Sequence, residues 1–412
     1  MSDKTFADLG LSDDVLRALD DCGYVLPTPI QEAAIPIVAA GHDLIANAQT
    51  GTGKTAAFTL PLIDDIATRP SFKGDTPLVL VLAPTRELAD QVHQNILDYG
   101  KYTGARSVVI VGGVSSGPQI DRLRKGVDFV VATPGRLIDL VEQGECVLED
   151  VEFLILDEAD RMLDMGFVHD VRWIADKVPT PRQTMMFSAT MSPEVRSLAS
   201  TIQVNAKNVA VAPPATVADN LEERIMFVDK LDKRAALIHV LENEATGRTL
   251  VFTATKVAAS LVAKQLDSAG VKAVAIHSNK TQSQRASALK SFVNGRTRVL
   301  VATDIVARGI DVEGITHVIN YEMPENSENY VHRIGRTARA GKEGAAISLV
   351  CIEDVSYLRG VLRLLKEDTI HVVTEHPWHS EQVHGAFEAA EKAGRQRARA
   401  GKGRGSGSKW RR

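Results

Sequence analysis

DLIANAQTGTGKT, Asp43 to Thr55, changes character twice in quick succession. Asp43 to Asn47 is a short apolar run of strand length, and the glycines after it interrupt that run. Lys54 and Thr55 then open a stretch with a helical pattern. A strand that passes through a glycine-rich turn into a helix begins a βαβ unit, the building block of parallel α/β sheets. The turn also carries chemistry. Glycines let backbone N–H groups face an anion, and the helix N-terminus adds partial positive charge. Ala48, Gln49, Thr50, Gly51, Thr52, Gly53, Lys54 and Thr55 therefore read as a phosphate-binding loop. Lys54 would reach the β- and γ-phosphates, and Thr55 would offer its hydroxyl to Mg2+. Ala48 stands where the strict pattern has glycine.

Outward from this loop, short runs rich in Val, Ile and Leu alternate with helix-length segments. In the first half they are Asp43 to Asn47, Leu78 to Leu82, Ser107 to Val111, Phe129 to Ala132, Glu152 to Leu156 and Thr184 to Phe187. The second half repeats the theme at Thr249 to Phe252, Val274 to Ile276, Val299 to Ala302, His317 to Asn320 and Ala346 to Val350. Two similar α/β domains with parallel sheets are expected. Between them VAVAPPATVADN, residues 209–220, carries two adjacent prolines and reads as an extended linker with its boundary near Pro213. At about 150 residues per domain, 412 residues agree with two or three domains.

Cys22, Cys146 and Cys351 are far apart, which excludes a disulfide-stapled fold and a thiolate zinc cluster and fits a reducing cytoplasm. No charge-free apolar run reaches the roughly 18 residues of a membrane span, and MSDKTFADLG lacks an apolar signal core, so neither secretion nor membrane insertion is expected. The net charge of −4 conceals an asymmetry. Glu391 to Arg412 holds nine basic residues and one acid, a net of +8, which leaves −12 for the remainder. A basic tail on an acidic body points to a polyanionic partner. The tail GRQRARAGKGRGSGSKWRR has almost nothing to bury and is expected to be disordered when unbound. Before it, His371, His376, His379 and His384 lie close together; metal ligation is the minor reading, because their spacing matches no zinc pattern and Pro377 breaks helical register, and a solvated stretch is the expected one.

A magnesium–nucleotide site needs a carboxylate from a neighbouring strand, and Asp157-Glu158-Ala159-Asp160 follows the apolar strand VEFLIL. Asp157, at the strand end, would hold Mg2+, and Glu158 would polarise the water that attacks the γ-phosphate.

Further segments appear in a fixed order: GYVLPTPIQ ending at Gln31, PTRELADQ at 84–91, Gly112-Gly113, TPGR at 133–136, SAT at 188–190, VFTAT at 251–255, QSQR at 282–285, ATDIVARGID at 302–311 and HRIGRTAR at 332–339. With the phosphate loop and DEAD at 157–160, this set resembles the DEAD-box RNA helicases of superfamily 2, and the compact core with a short basic tail looks like their bacterial RhlE-type members. The resemblance covers residues 1 to about 375. It implies two tandem RecA-like parallel-sheet domains, arranged as an adenine-recognition segment at 1–34, an ATP-binding domain at 35–208, the linker at 209–220, a C-terminal helicase domain at 221–375 and a basic tail at 376–412 that is expected to be disordered.

The resemblance also assigns roles. Gln31 would read the adenine edge while Phe6 stacks on the ring, which favours ATP over GTP because a carboxamide can pair with adenine N6 and N7 together. Arg336 and Arg339 match the arginine fingers, which neutralise charge developing at the γ-phosphate. Ala338 sits where the family usually has glycine. Asp311 would bind the ribose, and Ser188, Thr190, Asp160 and His332 would couple the nucleotide site to strand separation. RNA contacts map to Thr85, Arg86, Gly113, Thr133, Gly135 and Arg136 in the first domain and to Arg285, Thr303 and Asp304 in the second. Most are donors suited to phosphates, so little sequence preference follows, while 2′-hydroxyl contacts would select RNA. The tail would add phosphate contacts and a stacking Trp410, with affinity falling as salt rises.

The implied activity is RNA-stimulated ATP hydrolysis with ATP and Mg2+, coupled to closure of the two domains and local, non-processive separation of short RNA duplexes. Partners would be single-stranded RNA and short duplexes, with proteins of ribosome assembly or RNA decay as candidates and a monomer as the default. The same residues would serve an ATP-dependent RNA clamp, and a DNA-directed relative is the third reading.

Overall fold

A computed structural model describes residues 4–48, 51–69, 76–210, 220–304, 312, 314–338, 343–365 and 370–403. The chain divides into two units between Pro213 and Pro214. Among the described residues, no helix is long and apolar enough to cross a membrane.

The first unit is built on seven parallel strands: β1 (Leu44–Asn47), β2 (Val79–Leu82), β3 (Ser107–Ile110), β4 (Phe129–Ala132), β5 (Phe153–Leu156), β6 (Gln183–Ser188) and β7 (Lys207–Ala210). Their order across the sheet is β3-β4-β2-β5-β6-β1-β7. β2 and β4 are buried along their whole length, as strands covered on both faces must be. One core packs Phe58 and Phe187 with β-strand side chains, and a second lies around Leu80, Leu154 and Met186.

The second unit repeats this plan with β8 (Leu221–Phe227), β9 (Thr249–Thr253), β10 (Ala273–Ile276), β11 (Val299–Thr303), β12 (His317–Asn320), β13 (Gly344–Val350) and β14 (Ile370–Val373). Its order is β10-β11-β9-β12-β13-β8-β14, the same permutation strand for strand.

Three strands, β7, β8 and β14, were not among the apolar runs. β7 takes Val209 and Ala210 from the stretch read as linker; residues 211–219 lie outside the described residues. β8 is hidden by its composition, LEERIMF, yet it pairs with β13 along all seven residues. Its Glu223 is fully buried, with Oε2 accepting from Tyr330 Oη at 2.9 Å. Burial pushes the Glu223 carboxyl up to about 7. The folded state therefore holds this proton more tightly than the unfolded chain, where the carboxyl titrates near 4.5. Its stabilising effect is complete below about pH 4.5 and is lost as pH rises through 7, a swing on the order of 2–4 kcal/mol. Glu223→Gln is expected to abolish that slope and to be the more stable protein at pH 8. Denaturant midpoints measured from pH 5 to 8 check this, and parallel curves for the two proteins would contradict it.

The C-terminal stretch also differs from expectation. A helix runs from Glu381 to Gly403, inside the segment read as a disordered tail. Val383, Phe387 and Ala390 give it an apolar stripe that packs into the core around Phe227, Tyr330 and Leu358. Residues 404–412, with Trp410, lie outside the described residues.

Candidate functional site

The strand order of the first unit determines which loops meet. Strands β5, β6 and β1 are neighbours, so the acidic DEAD residues, the SAT segment and the phosphate loop leave the same edge of the sheet side by side. Ligands of open α/β sheets gather at this carboxyl edge. The segments PTRE, Gly112-Gly113 and TPGR follow β2, β3 and β4, the other half of that edge.

The phosphate loop is tied down from two sides. Ala48 N donates to Ser188 O at 3.0 Å, joining the loop to β6. Thr28 Oγ1 donates to Thr52 O at 2.8 Å, and Gln31 Nε2 donates to Gly53 O at 3.1 Å while its Oε1 accepts from Thr28 N at 2.8 Å. Gln31 is fully buried in this arrangement, so its amide holds the loop. Gly53 has φ of 90°, and a Cβ there would collide with the Gln31 carboxamide, so only glycine fits. Phe6 is buried edge-on against Tyr24 with ring centroids 6.2 Å apart, as a member of the first core. Gln49 and Thr50 lie outside the described residues.

Lys54 opens the helix Lys54–Thr68, and Thr55 O accepts from Thr59 Oγ1 at 2.7 Å. Lys54 Nζ and Asp157 Oδ1 are both buried and, among the described residues, have no hydrogen-bond partner. An orphaned buried cation and an orphaned buried carboxylate oxygen at one loop form a costly arrangement that a bound cation–polyanion pair would satisfy. The donor set of Thr55 and Asp157, hydroxyl and carboxylate oxygen, suits Mg2+. Burial, reinforced by Glu158 and Asp160, pushes the Asp157 carboxyl up to about 6 against the opposing pull of Lys54.

Glu158 has φ of 54°, an uncommon conformation for a side-chain-bearing residue that turns the chain sharply from strand to helix. Arg161 Nη1 donates to Glu158 Oε2 at 2.6 Å, both side chains being buried. Asp160 is the junction. Its Oδ2 accepts from Ala189 N at 3.1 Å, Thr190 N at 2.9 Å and Thr190 Oγ1 at 3.1 Å, and its own N donates to Ser188 Oγ at 3.3 Å. Ser188 Oγ in turn donates to Thr190 O at 2.7 Å. The DEAD turn and residues 188–190 are thus joined through the carboxylate and the backbone N–H of Asp160.

Across the same edge, Thr85 caps the helix Arg86–Tyr99, its Oγ1 accepting from Leu88 N at 3.3 Å. The Arg86 guanidinium lies against Gly113, whose φ is 70° and where a Cβ would collide with it. Thr133 precedes the helix Pro134–Glu142, and the space beside the Gly135 Cα is open. Arg136 Nη1 and Nη2 donate to Val114 O at 3.2 and 3.3 Å, so TPGR and the Gly-Gly loop are held together. The sequence gives no sign of Gln119, which is buried and pins that loop. Its Oε1 accepts from Val111 N at 3.0 Å, and its Nε2 donates to Val111 O at 3.0 Å and Ser115 O at 3.1 Å.

In the second unit, Arg285 is buried, with Nη1 donating to Gln282 Oε1 at 3.3 Å, and Thr303 ends β11. Asp304 is engaged rather than displayed for RNA. Arg333 Nε and Nη2 donate to its two carboxylate oxygens at 2.6 and 2.8 Å, and Arg333 Nη1 donates to Asn320 Oδ1 at 3.0 Å and Glu322 O at 2.7 Å. The guanidinium also lies 4.9 Å from the Phe252 ring centroid. Arg336, one of the two expected fingers, is buried with Nε donating to His332 O at 3.3 Å. Arg339 and Asp311 lie outside the described residues.

Ala338 has φ of 54°. Side chains in this left-handed region cost roughly 1–2 kcal/mol, and glycine returns about 0.4–1 kcal/mol through the entropy of its unfolded chain. Ala338→Gly is therefore expected to stabilise the second unit by about 0.5–1 kcal/mol. Urea midpoints would measure it, and a destabilised variant would show that the methyl is supported by packing.

Two family models match in tandem: DEAD/DEAH box helicase over residues 28–198 and helicase conserved C-terminal domain over residues 232–341. ATP-dependent RNA helicase DBP2 of Candida albicans is 46% identical over 353 residues, covering 84% of this chain and 62% of that protein. DBP2 of Chaetomium thermophilum is 42% identical over 380 residues, covering 90% and 68%. The chain spans about 62–64% of the length of the first curated relatives it matches. Among solved structures, S. cerevisiae Dbp5 bound to RNA and ADP BeF3 is similar with a TM-score of 0.82 and 29% identity, covering 94% of this chain and 99% of that one. With both helicase modules in order on two RecA-like sheets, and with relatives this similar over most of its length, the chain belongs to the DEAD-box family of superfamily 2 helicases.

Proposed function

We propose that this protein is an ATP-dependent RNA helicase whose ATP hydrolysis is stimulated by RNA and coupled to closure of its two units, parting short duplexes locally and without travelling along them. The observation that carries the reading is the pair of buried, unpartnered atoms at the phosphate loop, Lys54 Nζ and Asp157 Oδ1. Lys54 would bind the β- and γ-phosphates, and Glu158, aimed by its left-handed backbone and by Arg161, would take the proton of the attacking water. Thr55 and Asp157 would hold Mg2+, which when bound neutralises charge on the phosphate oxygens. Arg336 and Arg339 belong to the second unit and Lys54 to the first, so fingers and phosphate loop would cooperate only when the units close. Arg336 would have to leave His332 O to act.

Asp160 would carry the coupling, since it binds both the catalytic turn and residues 188–190. Thr85, Arg86, Gly113, Thr133, Gly135 and Arg136 would position RNA phosphates, with Arg285 and Thr303 continuing the track. Asp304, engaged by Arg333, would contribute through its backbone. RNA as the substrate is supported by the similarity to a Dbp5 structure that contains RNA and by the names of the curated relatives. A cytoplasmic monomer is the accompanying proposal.

Strand displacement tests the reading. ATP is expected to release a short RNA strand from a duplex, and Lys54→Ala is expected to abolish release. Long-lived ATP-dependent RNA binding without displacement would instead identify a clamp.

A further inference from the structure

The histidine-rich stretch, read from sequence as solvated, is packed. Ser380 N donates to Phe227 O at 2.9 Å and Ser380 Oγ to Asp229 Oδ1 at 2.8 Å, while His379 bridges to Val228. These bonds fix the start of the C-terminal helix to the end of β8. His384, in the first turn of that helix, stacks on Phe227 with ring centroids 4.8 Å apart, and its N donates to Ser380 O at 3.0 Å. His371, by contrast, lies exposed on β14.

We infer that His379, His384 and Glu381 form a binding site for a zinc-class divalent cation. His379 Nε2 lies 3.4 Å from His384 Nδ1 and 3.8 Å from Glu381 Oε1, and the three ligand atoms all fall within 4.8 Å of one another. A separation of 3.4 Å is long for a hydrogen bond between nitrogens. It matches the edge of a tetrahedron with metal–nitrogen bonds of about 2.0–2.1 Å, an edge of roughly 3.3 Å. The His379 side chain is only 10% exposed and, among the described residues, its Nδ1 has no hydrogen-bond partner. His376 packs edge-on against it at 5.5 Å with both ring nitrogens buried and unpartnered. Two imidazoles and a carboxylate suit Zn2+, with a fourth position left for water. The spacing His-x-Glu-x-x-His escapes a sequence search because the helix cap, Ser380, sits between the ligands and supplies the geometry.

Such a metal would tie the first turn of the C-terminal helix to His379, which bridges to Val228 just beyond β8. The full chain, stripped with EDTA, is titrated with Zn2+ against a chromogenic zinc chelator. One Zn2+ per chain is expected, weakened at least about tenfold by His384→Ala and by Glu381→Gln, with His371→Ala unchanged. Glu381 is 91% exposed, so its variant keeps the fold and the test remains decisive if a histidine variant unfolds. Co2+ in place of Zn2+ is expected to give visible bands without a thiolate band. No stoichiometric binding, equal affinity in both ligand variants, or a thiolate band would overturn the site.

Discussion

Glu158→Gln is expected to lower RNA-stimulated ATP turnover by about two to four orders of magnitude while leaving ATP-dependent RNA binding in place. The carboxamide has the size of the carboxylate and still offers an oxygen to Arg161 Nη1, which lies 2.6 Å away, so the turn at φ 54° is preserved. What it loses is basicity. The Asp160 junction is untouched, so residues 188–190 would still respond to nucleotide. Steady-state turnover and RNA affinity measured on the same preparation separate the two effects. A variant that turns over within tenfold of the parent would remove Glu158 from the chemistry and leave it a structural partner of Arg161.

Arg333→Met is expected to destabilise the second unit by about 3–5 kcal/mol. The guanidinium is only 2% exposed and donates to both oxygens of Asp304, to Asn320 and to a backbone carbonyl. Removing it strands a partly buried carboxylate and a fully buried amide oxygen, and breaking a buried ion pair by removing one partner is strongly destabilising. In a unit of about 200 residues that loss lowers the melting temperature by roughly 10 °C. Arg333→Lys is expected to recover little, because an ammonium cannot reach all four acceptors that the guanidinium serves. Calorimetry reads the second unit's transition. A shift smaller than about 1 kcal/mol would show that Asp304 finds solvent or another donor without cost.

The parts of the fold that sequence reveals are those whose residues do one thing. VLVL of β2 and FVVA of β4 are buried on both faces and declare themselves by composition. β8 does not, because Glu222, Glu223 and Arg224 interrupt it, and only the tertiary partner Tyr330 makes a buried Glu223 acceptable. The helix from Glu381 was obscured for a related reason. Val383, Phe387 and Ala390 are a thin apolar stripe beside a basic run, and the basic run dominates the composition.

In the candidate site, the placement of Lys54, Thr55, Asp157 and Glu158 was legible because phosphate and metal chemistry calls for those types at strand ends, and β1 and β5, which they follow, flank β6. Gln119 was not, since a buried amide that staples a loop leaves no pattern in the chain. Asp304 carried a motif position, yet its carboxylate belongs to Arg333, a partnership visible only once β11, β12 and the helix Ser327–Ile334 are assembled.

RNA is proposed to govern ATP turnover at the site built from Lys54, Asp157 and Glu158. This is tested most directly by the turnover rate of the intact chain with no nucleic acid, with single-stranded RNA and with single-stranded DNA. Strong stimulation by RNA and little by DNA is expected. Equal stimulation by both, or none by either, would contradict it.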